Sequence, residues 1–368
     1  MYLENISIVN YKNLEEVEID FSSKLNCFIG DNGAGKTNLL DAVYYLSFCK
    51  SFFNYTDLLN IRHNEQYFML RGKYIREGND EVIACGLQKG QKKQFKRNAK
   101  VYSKLADHIG LIPLVMITPS DVNLIIGGSD ERRKFVDGVI SQFDGTYLRS
   151  LLNYNKALAQ RNNLLKQFAS GSFFDEESLS VWDMQLVEYG NVIHRKRKDF
   201  IEKLIPVFQH YYSFISKGNE EVGLIYQSDL KDKDFEAVLK GALPKDRVIQ
   251  YTTVGVHKED LLLGLNGFPI KKFGSQGQKK TYLAALKLAQ FEFIKEVAGI
   301  RPILLLDDIF DKLDRNRVEQ IINLVADDHF GQIFITDTNR EHLDGIVKSN
   351  SADYKIFKVS KGTVKELK

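Results

Sequence analysis

The pattern of apolar residues predicts an α/β fold interrupted by a mainly helical lobe, and three observations lead to it. Short alternating segments open the chain and return in its last third, a glycine-rich turn joins a strand to a helix near residue 30, and long helical stretches fill the middle. Leu3, Ile6 and Ile8, then Val17, Ile19 and Phe21, fall at strand spacing, and the apolar run Leu25–Ile29 stops at Gly30. Asn38–Phe48 places Leu39, Leu40, Val43 and Leu46 at helical spacing, so the turn feeds a helix. From Gln66 to about Tyr102, short segments broken by Gly72, Gly78-Asn79 and Gly90 predict an antiparallel meander.

Helical character runs from Ser129 to about Ser216. Within it Trp182, Leu186, Tyr189, Ile193, Phe200, Leu204 and Val207 form one stripe of a helix about 40 Å long at ~1.5 Å per residue, with a companion helix from Thr146 to Phe168. From Val222 strands and helices alternate again. The expected elements are a hairpin turn at Asn266-Gly267, a helix Gln278–Val297 and a buried strand Ile303–Leu306, then a helix Arg315–Ala326, a strand Gln332–Thr336 and a last strand near Lys355–Val359. The expected organisation is a discontinuous α/β domain of residues 1–128 and 217–368 around an inserted helical lobe of residues 129–216.

Across the 368 residues, 43% apolar and 27% charged residues are ordinary for a soluble globular chain. No apolar run reaches the ~18 residues of a membrane span, and the N-terminal segment lacks the basic region of a signal peptide. A cytoplasmic protein with no membrane partner is expected. Cys27, Cys49 and Cys85 are widely spaced among apolar neighbours and read as buried thiols. The net charge of +3 is too balanced to indicate a polyanionic partner by itself, so the distribution of charge must decide.

The chemistry concentrates in three motifs. GDNGAGKT at Gly30–Thr37 lies between a strand and a helix, the context a phosphate-binding loop requires. Gly30, Asp31, Asn32, Gly33, Ala34 and Gly35 turn backbone N–H groups inward, Lys36 reaches the β and γ oxygens of ATP, Thr37 ligates Mg²⁺, and Asn38 continues the contact. ILLLDDIF delivers two acids at the end of a buried strand. Asp307 is expected to hold Mg²⁺ through its water shell, and Asp308 to orient or deprotonate the attacking water. KFGSQGQKKT opens a helix with Ser275, Gln276 and Gly277, where Ser275 also suits an N-cap.

This last segment resembles the signature motif of ABC ATPases. The ordered set GDNGAGKT, SQGQ, LLLDDIF and then Asp311, Lys312, Leu313 and Asp314 as a D-loop is similar to the SMC-type branch of that superfamily. NISIVNYKNL, TPSDVNLIIGGSDERRKFVD, TTVGVHKEDL and SQGQKKTYLAALKLAQ together resemble the RecF family of bacterial recombination and gap-repair proteins. The resemblance implies an ABC-type ATPase head. It adds Lys12, Asn13 and Asp314 to the nucleotide contacts, and it implies an ATP-dependent homodimer in which Ser275, Gln276 and Gly277 of one subunit complete the site built on Lys36 of the other. It further implies slow, DNA-stimulated hydrolysis, binding to DNA gaps or ends, and RecR and RecO as partners. Lys12 stands where the family more often has arginine, Lys258-Glu259 replaces a more usual Arg-Asp, and ITDTN at Ile335–Asn339 lacks the histidine of transporter ATPases.

Lys89, Lys92, Lys93, Lys96, Arg97 and Lys100 interleave with the β pattern, which suits contact with DNA phosphates without sequence readout. The clusters His194–Lys198 and Arg132–Lys134 read as local helix charges. A transporter ATPase subunit and a nucleotide-switched scaffold are the alternatives. The transporter would be shorter, without a polar helical lobe between its motifs.

Overall fold

The computed structural model describes all residues except 55, 172–173, 219, 310–314, 327–328, 339–352 and 368. In chain order, the first half contains β1 (Tyr2–Tyr11), β2 (Leu14–Asp20), β3 (Leu25–Ile29), α1 (Lys36–Phe48), β4 (Tyr67–Arg76), β5 (Asn79–Gln88), β6 (Gln94–Arg97), β7 (Lys100–Val101) and β8 (Leu114–Ile117). The helices α2 (Asn123–Ile126), α3 (Ser129–Ile140), α4 (Gly145–Ser170) and α5 (Glu176–Ser216) follow. Then come β9 (Val222–Gln227), α6 (Phe235–Ile249), β10 (Asp260–Leu265), β11 (Phe268–Pro269), α7 (Ile270–Phe273) and α8 (Gln276–Ala298). The last elements are β12 (Ile303–Asp307), α9 (Arg315–Ala326), β13 (Ile333–Asp337), β14 (Tyr354–Ser360) and β15 (Thr363–Glu366).

Two compact units result. The first comprises Met1–Asp121, Tyr211–Gly218 and Ser275–Lys368, and the second Val122–His210 and Asn219–Gly274. The strands β9 and β10, placed by the sequence in the α/β domain, thus fall in the second unit, where β10 pairs with β9 on one side and β11 on the other. Residues flanking a hairpin give no local sign of which core they join.

The first unit holds two six-stranded sheets. One is antiparallel, in the order β2-β1-β4-β5-β6-β7, and confirms the predicted meander; the other runs β15-β14-β3-β13-β12-β8 and is parallel except for β15. Apolar residues fill β12 and β13 up to their C-terminal ends, as fits strands covered on both faces, whereas β4 and β5 alternate as strands with one open face. The core joins α1 to both sheets, with Leu39, Leu40, Val43 and Leu46 among Ile6, Ile8, Leu70, Phe28, Leu305 and Phe334. Helix α8 is buried along Tyr282–Phe291, and its Lys287 amine is held inside by Asp121 (2.8 Å) and the Met116 carbonyl (3.1 Å). The three thiols are free and buried, as expected.

In the second unit the predicted stripe of α5 is real but differs in membership. Leu186, Ile193, Phe200 and Leu204 are buried, and Gly190, Arg197 and Phe208 join them. Gly190 is required because a Cβ there would lie 2.4 Å from the Phe235 ring. Buried Arg197 donates to Asp137 (2.8 Å) and Glu259 (2.7 Å), and Arg132 pairs with Asp260 (2.6 Å), so two cations that read as local helix charges tie distant segments of this unit together. Among the described residues no helix is long and apolar enough to cross a membrane.

Candidate nucleotide site

In the first unit β3, β13 and β12 are adjacent and parallel. The register sets Ile29 opposite Asp337 and Asp307 opposite Thr336, so the carboxyl ends of the three strands share one edge. There the chain leaves β3 through Gly30–Gly35 and enters α1, whose first turn carries Lys36 and Thr37.

Two turns brace this loop. From the β1–β2 turn, Asn13 Nδ2 donates to the Gly33 carbonyl (3.4 Å) and its Oδ1 accepts from Asn38 Nδ2 (2.8 Å). From the β14–β15 turn, the Gly362 N–H donates to the Ala34 carbonyl (2.9 Å). Space is tight. A Cβ on Gly30 would stand 2.3 Å from the Val359 carbonyl oxygen, and one on Gly362 2.2 Å from the Asn13 carbonyl oxygen. Gly35 takes φ +118°, open to glycine but not to a side-chain-bearing residue. Asp31, Asn32 and Gly33 form the exposed crest, while Ala34, Gly35 and Lys36 are buried. The Lys36 amine donates to the Gly30 (2.7 Å) and Asp31 (3.2 Å) carbonyls.

Asp307 gathers the acidic side. Thr37 Oγ1 donates to both its oxygens (3.0 Å each), Thr336 Oγ1 donates to Oδ1 (2.7 Å), and the Asp308 N–H donates to Thr336 Oγ1 (3.1 Å). At 3% exposure, burial raises the Asp307 carboxyl above its ordinary value against the lowering effect of the two threonine hydroxyls. Asp308 sits at φ +44°, the left-handed region that aspartate tolerates better than most residues. A threonine hydroxyl and a carboxylate converging on one point are hard oxygen donors, the set that suits Mg²⁺, and the glycine-lined loop suits a polyphosphate.

Other predicted residues have different surroundings. Lys12 turns its amine to Asp41 Oδ2 (2.6 Å), a fully buried carboxylate that also accepts from Tyr11, Ser51 and the Phe52 N–H. Its neighbour Asn13 touches the loop. Ser275 caps α8 in a reciprocal box with Gln278, accepting its N–H (3.2 Å) and donating its own to Gln278 Oε1 (2.7 Å). Ser275 and Gln276 are exposed or nearly so, and Gly277 is half-buried. Asp314 and the rest of the expected D-loop lie outside the described residues.

Residues 2–365 match the family model described as the RecF/RecN/SMC N-terminal domain. The DNA replication and repair protein RecF of Bacteroides thetaiotaomicron is 57% identical over 368 residues, covering 100% of this chain and 99% of that protein. Its counterpart in Flavobacterium johnsoniae is 51% identical, covering 97% and 99%. This chain belongs to the RecF family. A solved structure of the recombination mediator RecF with ATP, from the RecFOR pathway, superposes with a TM-score of 0.89 at 32% identity, covering 100% of this chain and 98% of that one. An Smc head from Pyrococcus furiosus superposes at 0.59 with 17% identity, which shows the shared ABC-type head fold. The expected fold class therefore stands.

The RecF family frame leaves the basic run to be placed, and the structure scatters it. Lys93 is turned inward, its amine on Asp57 (2.6 Å) and the Cys49 carbonyl (2.7 Å). Arg97 forks onto Glu81 (2.8 and 2.7 Å). By register Arg97 and Lys100 share the side of the sheet that carries buried Ile83, while Lys96 stands on the opposite side. Lys89 donates to the Glu65 carbonyl (2.7 Å), and Lys92 is exposed in the turn before β6. Sequence reasoning misses Thr336, Gly362 and Asp41. For Thr336 a signal exists, a threonine ending an apolar strand two residues before Thr338, but only strand pairing sets it beside Asp307.

Proposed function

We propose that this chain acts as a RecF protein of DNA replication and repair, an ATP-driven clamp that binds DNA gaps or ends in the cytoplasm. The convergence of Thr37 and Thr336 on Asp307, with β13 between its strand and the strand that feeds the glycine loop, is the observation that supports it. The N–H groups of Gly30–Gly35 and the Lys36 amine bind and orient the phosphates, with the positive end of α1 behind them. Thr37 and Asp307 would hold Mg²⁺, which would neutralise phosphate charge when bound. Thr336 keeps Asp307 in place, and Asp308 orients the attacking water or takes its proton. Hydrolysis is slow and DNA-stimulated in this reading.

Ser275 opens a long helix with its N–H groups at an exposed end, so Ser275, Gln276 and Gly277 meet the nucleotide of a second subunit, with Lys12 and Asp314 adding contacts. ATP then favours the dimer through its affinity for the closed state, and RecR and RecO are the protein partners the family implies. Sedimentation with ATP, with ADP and without nucleotide tests the reading in wild type and in Ser275→Arg. Dimers with ATP alone in the wild type, and none in the variant at undiminished ATP affinity, are expected. Dimers independent of nucleotide would sink the clamp.

A further inference from the structure

We propose that the open face of the antiparallel sheet in the first unit, over β4, β5 and β6, is a platform for single-stranded DNA, with Arg71 and Lys96 on its phosphates and Tyr67 under a base. This rests on the DNA-binding reading above and adds the site and the form of the strand.

The register defines the face. Arg71 stands opposite Ala84, Ala84 opposite Lys96, and Lys96 opposite Val101; one pair along, Met69 stands opposite Gly86 and Gly86 opposite Gln94. Tyr67 and Gln88 follow on the same side. The alternate residues Phe68, Leu70, Cys85, Leu87 and Phe95 are buried in the core, so along β4 and β5 it is this face that meets solvent. Its chemistry is uncommon for a solvent face. Tyr67, Met69 and Val101 are 41%, 53% and 54% exposed, and the centre is floored by alanine and glycine, which let a ligand approach the backbone.

Charge selects the occupant. Arg71 and Lys96 sit two strands apart, about 10 Å at ~4.8 Å per strand, and among the described residues neither has a carboxylate partner. Lys73, further along, is by contrast neutralised by Glu4 (2.7 Å) and Asp80 (3.2 Å). Glu16 and Glu18 project on the same side from β2, so a polyanion is repelled from that edge and drawn over β4–β6. Free cations beside an exposed tyrosine and methionine suit unpaired bases, whose faces stack on such side chains; a duplex offers only phosphates and groove edges.

Fluorescence anisotropy of the full chain with ATP, using a labelled oligothymidylate and separately a blunt hairpin duplex, tests this. Arg71→Glu combined with Lys96→Glu is expected to weaken oligothymidylate binding at least tenfold and to lower the salt slope by ~0.7 for each phosphate no longer neutralised. Tyr67→Ala should weaken it about tenfold with the slope unchanged. Lys100→Glu, on the other side of the sheet, should change little, and wild-type ATP affinity in each variant certifies the fold. Unchanged oligothymidylate affinity in the double variant, or loss confined to the duplex, overturns the proposal while DNA binding itself stands. A wild-type chain that binds neither probe overturns the DNA reading as well.

Discussion

The two sheets of the first unit place their functional residues by different rules. In the parallel sheet, Gly30–Thr37, Asp307 and Thr336 come together because strand ends coincide, and the first two belong to short contiguous motifs. In the antiparallel sheet, what matters is which of two faces a residue takes, and neighbours in sequence take opposite ones. Contiguity therefore finds the nucleotide loop and misleads on the basic run, where Lys93 and Arg97 are absorbed by Asp57 and Glu81.

Substitutions at the strand ends should have the largest effects. Lys36→Ala is expected to lower ATP affinity on the order of a hundredfold or more, read by equilibrium titration, since it removes the cation nearest the phosphates. Asp308→Asn should leave that affinity intact and slow steady-state phosphate release about a hundredfold. Unchanged turnover would remove Asp308 from the water-orienting role. On the antiparallel sheet, Lys93→Ala should cost about 1–2 kcal/mol in urea unfolding by taking the cation from Asp57, which keeps the Tyr45 hydroxyl, with no change in salt dependence of DNA binding. A DNA defect without a stability defect would blur the contrast between the sheets.

The smallest effect is one of pH. His108, fully buried between α1 and the meander, has its Nε2 on the Leu46 carbonyl (2.7 Å) and Nδ1 on the Tyr102 hydroxyl (3.0 Å), and burial pushes its pKa down to about 4. The unfolded chain then binds the proton more readily, so stability falls as pH drops from about 6.5 towards about 4, by at most ~1.4 kcal/mol per unit. His108→Gln should flatten that slope in urea titrations; an unchanged slope assigns the acid sensitivity elsewhere.

Strand and helix positions were legible because periodicity is local: the helix expected over Gln278–Val297 runs Gln276–Ala298, and the strand expected over Gln332–Thr336 runs Ile333–Asp337. The Asn266-Gly267 turn is also as read, with φ of 51° and 78°. Domain membership of β9 and β10 was not, since it depends on contacts with distant segments. Thr336 and Gly362 were hidden for the same reason. Each is meaningful only through a partner far along the chain, Asp307 for one and Ala34 for the other. Asp41 lay within the helix that follows the phosphate loop, yet a buried acid there looks like any surface position until Lys12 is seen to reach it.

The hydrogen bond from Gly362 to Ala34 has a consequence for biosynthesis. Residues 30–35 precede the whole of the second unit in the chain, whereas Gly362 and the strand β14 beside β3 follow it. A chain synthesised only as far as the end of the second unit carries the glycine motif without the Gly362 brace and without β14 beside β3. The brace is a contact of very high sequence separation, of the kind whose loop-closure cost must be met before it forms.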